Sequence, residues 1–111
     1  RKPFGTLFFH KDFTVPLTEE KAGIYAQPLD MVRLAPSANN KQPWRVVWDE
    51  GTLHFYKIAS LSGGGFSATD MGIALCHFEQ TCKELGIKGY FKVLSEQENK
   101  PGQYCISWIS E

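Results

Sequence analysis

Ala35-Pro36-Ser37-Ala38-Asn39-Asn40-Lys41-Gln42-Pro43-Trp44 is the stretch on which the reading of this chain turns. A helical pattern runs into it and a β-rich pattern runs out of it. Pro36 fixes its own φ and disfavours α geometry at Ala35, so the preceding helix is expected to stop there. Ser37, Asn39 and Asn40 offer hydrogen-bonding groups to nearby backbone or to an external ligand. Pro43 is expected to hold Gln42 extended. Trp44 is placed to anchor a strand in the core, and Gln42 and Trp44 are assigned to loop and core structure. Composition alone favours a helix-to-strand turn over a binding loop, because Asn and Ser usually serve turns.

Upstream, Thr18 is a good N-cap, and Glu19 and Glu20 suit the positive end of a helix. Gly23 weakens the helix, and Pro28 either kinks it or opens a second one as its first residue. The pattern predicts helix over 18–26 and 28–35, with Asp30 and Arg33 as a surface ion pair. Residues 1–17 read as an extended arm ahead of a domain spanning 18–111. Phe4, Leu7, Phe8, Phe9 and Phe13 load the arm with apolar surface, without helical or strand periodicity. Such an arm must lie on something. It either wraps this domain or joins it to a missing partner, and the second is preferred.

Downstream, Trp44 to Trp48 and Thr52 to Ile58 form a hairpin around Asp49-Glu50-Gly51. Leu53, Phe55 and Lys57 point one way; His54, Tyr56 and Ile58 point the other, which makes His54 a solvated or cross-strand residue rather than a ligand. Gly63-Gly64-Gly65 precedes a helix, as in phosphate cradles, but it has no GxGxxG or Walker spacing and no following Lys, and Asp70 sits where the phosphate would. A flexible loop or a lid over a pocket is expected there, with Ser67 and Asp70 as a capping pair. Thr69 to Leu85 carries Met71, Ala74, Leu75, Phe78, Cys82 and Leu85 on one helical stripe, widened by Ile73 and Cys76, and Gly86 suits its end. Lys88 to Leu94 reads as a half-buried strand, and Ser95 to Gly102 as a polar loop. Tyr104 to Ile109 is the last strand, with Tyr104, Ile106 and Trp108 on one face and Cys105, Ser107 and Ile109 on the other. The sum is an α+β fold: a mainly antiparallel sheet packed with helices, one of them long and central.

Pro36-Ser37-x-x-Asn40-x-Gln42-Pro43-Trp44 resembles the loop of the flavin-dependent nitroreductases, matching at six positions. Asp70-Met71-Gly72-Ile73-Ala74 through Glu84-Leu85-Gly86-Ile87 is similar to that family's central helix. The opening Arg1-Lys2-Pro3-Phe4 and the closing Ile106-Ser107-Trp108-Ile109 look like the C-terminal half of a subgroup with two related halves in one chain. The resemblance implies a nitroreductase-like half domain, FMN as cofactor, NAD(P)H as reductant and a small electron-accepting substrate. It implies that Pro36, Ser37, Ala38, Asn39 and Asn40 bind the cofactor: Pro36 against the ring system, Ser37 and Ala38 at the ribityl chain or ring edge, and Asn40 near the ring. The family's Arg/Ser segment that grips the FMN phosphate has no match in this sequence. An N-terminal half, or a second copy in a homodimer, is therefore expected to supply that grip.

The 111 residues suffice for one modest core, and 42% hydrophobic content marks a folded chain. Twelve basic and twelve acidic residues cancel, which gives no reason to expect nucleic acid or an anionic membrane as partner. No run is long or apolar enough to span a bilayer, and no signal peptide is visible. The start at Arg1 suggests a processed or excised piece. Three cysteines without a CxxC pair fit reduced, buried thiols in a cytoplasmic protein, and Cys76 and Cys82 should not bridge. Cys76, His77 and Cys82 lack zinc-ligand spacing, so no metal is expected. Absence of GxSxG, HExxH or a Cys-His nucleophile pair argues against a self-contained hydrolase, and no catalytic side chain is assigned. The alternative is a non-catalytic dimerisation or ligand-binding domain that keeps the fold without flavin.

Overall fold

The computed structural model describes residues 2–12, 14–37, 42–58, 68–94 and 102–111. Its sheet contains β1 (Phe8–His10), β2 (Trp44–Asp49), β3 (Thr52–Lys57), β4 (Gly89–Lys92) and β5 (Gln103–Ser110), in spatial order β1-β2-β3-β5-β4. β1 runs parallel to β2, and the other neighbouring pairs are antiparallel. The α+β class and the mainly antiparallel sheet are as expected.

The opening residues differ from the expected extended arm. α1 (Phe4–Leu7) is a single helical turn, and β1 pairs through Phe8↔Val46, Phe9↔Val47 and His10↔Trp48. Leu7, Phe8 and Leu17 are fully buried in the main core, so this stretch packs on the chain's own sheet. Three residues are too few to show a strand period; the pairing with β2 creates the strand. The chain then doubles back. His10 N–H donates to Val15 O at 2.8 Å and Leu17 N–H to Phe8 O at 2.9 Å, which covers an edge that would otherwise offer unpaired backbone groups.

Thr18 caps α2 (Glu19–Ala22) by accepting Lys21 N–H at 3.2 Å. The break falls at Gly23, with φ 58, and one turn of 3-10 helix spans Gly23–Tyr25. α3 (Ala26–Leu34) begins two residues before the expected Pro28. Proline is tolerated there because the first-turn N–H groups have no intrahelical acceptor to lose. Ala35, with ψ 145, leaves the helix immediately before Pro36, as that ring requires. The β2–β3 hairpin closes on Glu50 and Gly51, both at positive φ, the turn whose twist matches paired strands.

α4 (Ala68–Leu85) buries Met71, Ala74, Phe78 and Cys82. Cys76 is exposed and does not widen the stripe, and Leu85 is exposed at its end. Thr81 is buried instead, its hydroxyl donating to His77 O at 2.7 Å. Gly86, with φ 73, ends the helix: its N–H meets Lys83 O, and Ile87 N–H meets Cys82 O at 2.8 Å. Gly63-Gly64-Gly65, Ser67 and residues 95–101 lie outside the described residues. No helix among the described residues is long and apolar enough to cross a membrane.

α3 and α4 share one core with Trp44, Val46, Leu53, Phe55 and Trp108, so they lie on the same sheet face. Phe78 of α4 meets the rings of Phe55 and Trp108 at 5.2 Å each, and Phe91 of β4 meets Trp108 at 5.0 Å. Trp108 Nε1–H donates to Tyr25 OH at 3.1 Å, and that hydroxyl also meets Ser110 Oγ, which satisfies both polar aromatics inside the core.

Two outcomes follow from this packing. A Cβ on Gly89 would sit 2.5 Å from Trp108 Cε2 and 2.6 Å from Ile109 O. Gly89→Ala is therefore expected to destabilise by about 3 kcal/mol, read as a lowered midpoint in urea unfolding. Burial, with Glu79 nearby, pushes the Cys82 thiol up to about 12. A thiol reagent at pH 8 is expected to label exposed Cys76 in the native protein and Cys82 only after unfolding; rapid native labelling of Cys82 would contradict this packing.

Candidate functional site

The loop between α3 and β2 is held at both ends by residue 42. Gln42 N–H donates to Ser37 Oγ at 3.0 Å, which ties the two ends of the loop together. Of the residues expected to meet a cofactor, Pro36 is exposed and Ser37 half-buried. Ala38, Asn39 and Asn40 lie outside the described residues, as does Lys41. Ser37 uses its oxygen as an acceptor, and its hydroxyl hydrogen has no acceptor among the described residues. A hydroxyl hydrogen of this kind can serve a ligand carbonyl or hydroxyl.

Gln42 departs from the extended geometry expected ahead of Pro43: its φ is 50. Positive φ is uncommon for a residue with a side chain and persists when the surroundings over-determine it. Here they do. Gln42 is 1% exposed. Its Nε2 donates to Arg33 O at 2.7 Å, and its Oε1 accepts Lys2 N–H at 2.7 Å. Its carbonyl accepts from Arg45 Nη1 at 2.9 Å, and the same nitrogen donates to Trp44 O at 2.6 Å. Burial lowers the pKa of the Arg45 guanidinium. Trp44 is fully buried as expected, but its Nε1–H has no acceptor among the described residues. An unpaired donor costs about 1–3 kcal/mol, a penalty offset by burying the indole.

A second polar group lies on the other sheet face, and only part of it was expected. β3 and β5 pair as Leu53↔Trp108, His54↔Ser107 and Phe55↔Ile106, and then shift register so that Tyr56 meets Tyr104. Cys105 is the extra residue. Strict alternation put Tyr104 with Ile106 and Trp108; the bulge turns it to the Ser107 face instead. Tyr104 OH meets Ser107 Oγ at 2.6 Å, and Ser107 Oγ meets His54 Nδ1 at 2.7 Å. Leu94 N–H donates to Tyr104 OH at 3.0 Å. With that donor fixed, a consistent chain runs from Leu94 N–H to Tyr104, to Ser107 and to His54 Nδ1 as acceptor, in the neutral tautomer protonated at Nε2. His54 is the cross-strand residue that its alternation suggested. Burial lowers its pKa, against the opposing pull of Asp49.

A folded-state pKa below the unfolded value means that the unfolded chain binds more protons as the pH falls. The contribution of His54 is fully present above about 6.5, the unfolded value, and is lost below it. Urea unfolding between pH 7.5 and 5 is expected to show declining stability in the wild type and a shallower decline in His54→Gln. Ser107→Ala, which removes one hydrogen-bond partner from each neighbour, is expected to cost about 1–3 kcal/mol at pH 7.5 in the same assay.

Among the described residues, no group of three or more His, Cys, Asp or Glu is placed to hold a metal. No curated protein matches the sequence. The fold matches the crystal structure of a "putative nitroreductase" from Thermotoga maritima with a TM-score of 0.63 and 24% identity, over 99% of this chain and 42% of that one. This chain thus spans less than half the length of that protein. A family model described as "Putative TM nitroreductase" matches residues 15–82, a span that runs from the return after β1 through α3, the Ser37–Gln42 loop, the hairpin and most of α4. Matched over more than half its length, the chain belongs to this nitroreductase family.

Proposed function

We propose that this chain is the C-terminal part of an FMN-dependent, NAD(P)H-using oxidoreductase of nitroreductase type, and that its Ala35–Trp44 loop contacts the flavin. The observation that carries the reading is the family match across that loop, in which the Ser37 hydroxyl hydrogen has no acceptor among the described residues. The donor set fits a flavin's edge: neutral hydroxyl and amide groups suit carbonyls and ribityl hydroxyls, and exposed Pro36 suits a ring face. Pro36, Ser37, Ala38, Asn39 and Asn40 would hold the cofactor. When bound, FMN supplies the hydride chemistry, which is why no catalytic side chain is needed from this chain. The residues of the loop bind and orient.

The phosphate would be gripped from elsewhere. Beside the loop, Arg33 Nε pairs with Asp30 Oδ1 at 2.7 Å and Arg45 Nη1 serves two carbonyls. An N-terminal half, or a second copy of this chain, would bring the cation. The electron acceptor is a small molecule, and the setting is the cytoplasm.

The test is the absorbance spectrum after FMN addition and desalting, with and without the N-terminal polypeptide. A flavin band retained only with both parts supports the shared site. Asn40→Ala should then weaken FMN binding about tenfold, or about 1.4 kcal/mol, by fluorescence titration. No band in either sample would replace this reading with a flavin-free dimerisation or ligand-binding domain.

A further inference from the structure

We propose that Gln42 is the positioning residue of the loop. It couples the opening segment and the end of α3 to Ser37 at the loop entrance. The importance of this for a cofactor rests on the flavin reading above; the clamp itself does not.

Four anchors from separate parts of the chain converge on one side chain and its backbone. The amide Nε2 holds Arg33 O, one of the last carbonyls of α3, which a helix leaves without an internal partner. The amide Oε1 holds the N–H of Lys2, forty residues earlier. The backbone N–H holds Ser37 Oγ at the loop entrance, and the backbone carbonyl holds Arg45 at the exit. The carboxamide has one orientation, because turning it over would face donor to donor and acceptor to acceptor. Its burial excludes water as a substitute partner. The positive φ adds a second argument: a left-handed conformation at a non-glycine residue is kept only while these bonds hold it. Residue 42 is therefore a junction with two settings, clamped and released, and the Ser37 bond depends on the other bonds. Had Gln42 only filled the core, a side chain of equal size would replace it.

Gln42→Met separates the two roles. It keeps length, volume and the same backbone strain, and deletes both side-chain hydrogen bonds. The measurement is amide hydrogen exchange by NMR on the full chain, at residue 42 and at Val46 in the middle of β2. The expected result is exchange about tenfold faster or more at residue 42, where the Ser37 bond opens, with Val46 changed by about twofold or less. Equal acceleration at both positions, or none at residue 42, would overturn the proposal. Should Gln42→Met fail to fold, Ser37→Ala reads the junction from the other side. The Gln42 side-chain NH2 protons, held by Arg33 O, should then exchange about tenfold faster, and an unchanged rate would overturn the proposal. FMN titration of the wild type, with the N-terminal polypeptide present, separates the two readings. A wild type that ignores FMN while Gln42→Met still frees residue 42 removes the flavin and leaves the clamp.

Discussion

Phe78 is the contact on which the rest of this structure depends. It projects from the one long helix and touches Phe55 of β3, Phe91 of β4, Trp108 of β5 and Tyr25 before α3. The pairs with Phe55 and Trp108 meet edge to face, the pair with Tyr25 is stacked and the pair with Phe91 tilted, and favourably arranged aromatic pairs add about 0.5–1.5 kcal/mol each beyond the area they bury. Without this cluster, α4 would have no fixed angle on the sheet. Gly89 is part of the same constraint. The indole of Trp108 lies where a side chain on β4 would be, so the strand approaches as closely as its backbone allows.

From that core the loop is built outward, by hydrogen bonds rather than by apolar contact. Burying a Gln is costly unless its polar atoms are paired. Here they are paired with groups from α3 and from the opening segment. The ends of the loop, at Ser37 and Gln42, are thus tied to the body of the chain, an arrangement suited to holding a ligand on a fixed scaffold. On the opposite sheet face, the bulge at Cys105 assembles His54, Ser107 and Tyr104 into one chain of hydrogen bonds. That chain favours neutral His54, so the face carries a polar network without a buried charge.

Family membership is established by sequence over residues 15–82, and the likeness in fold extends over nearly the whole chain. The match with less than half of the Thermotoga maritima protein gives the proposed shared site its logic. Neutral donors such as Ser37, Asn39 and Asn40 can hold a ring and a ribityl chain, but a phosphate calls for charge-assisted contacts. Among the described residues, Arg33 and Arg45 beside this loop hold partners of the chain's own.

The sequence by itself determined what is local. Thr18 as a cap, the helix stop before Pro36, the hairpin around Glu50-Gly51, the apolar stripe from Met71 to Cys82 and the glycine end at Gly86 all depend on neighbours within a turn or two. The burial of Trp44 and the cross-strand position of His54 were also legible, because a strand's period is simple. Of the candidate site, the sequence supplied the loop's chemistry and its likeness to a family. The tertiary structure alone decided the remainder. β1 exists because Val46–Trp48 lies beside it. Cys76 faces out and Thr81 in because the sheet covers only part of α4. Tyr104 changes face because one extra residue enters a ladder, which alternation cannot foresee. Gln42 takes a positive φ because partners at positions 2, 33, 37 and 45 hold it there. In each case the deciding group is distant along the chain or outside the local repeat, and no pattern within one element carries it.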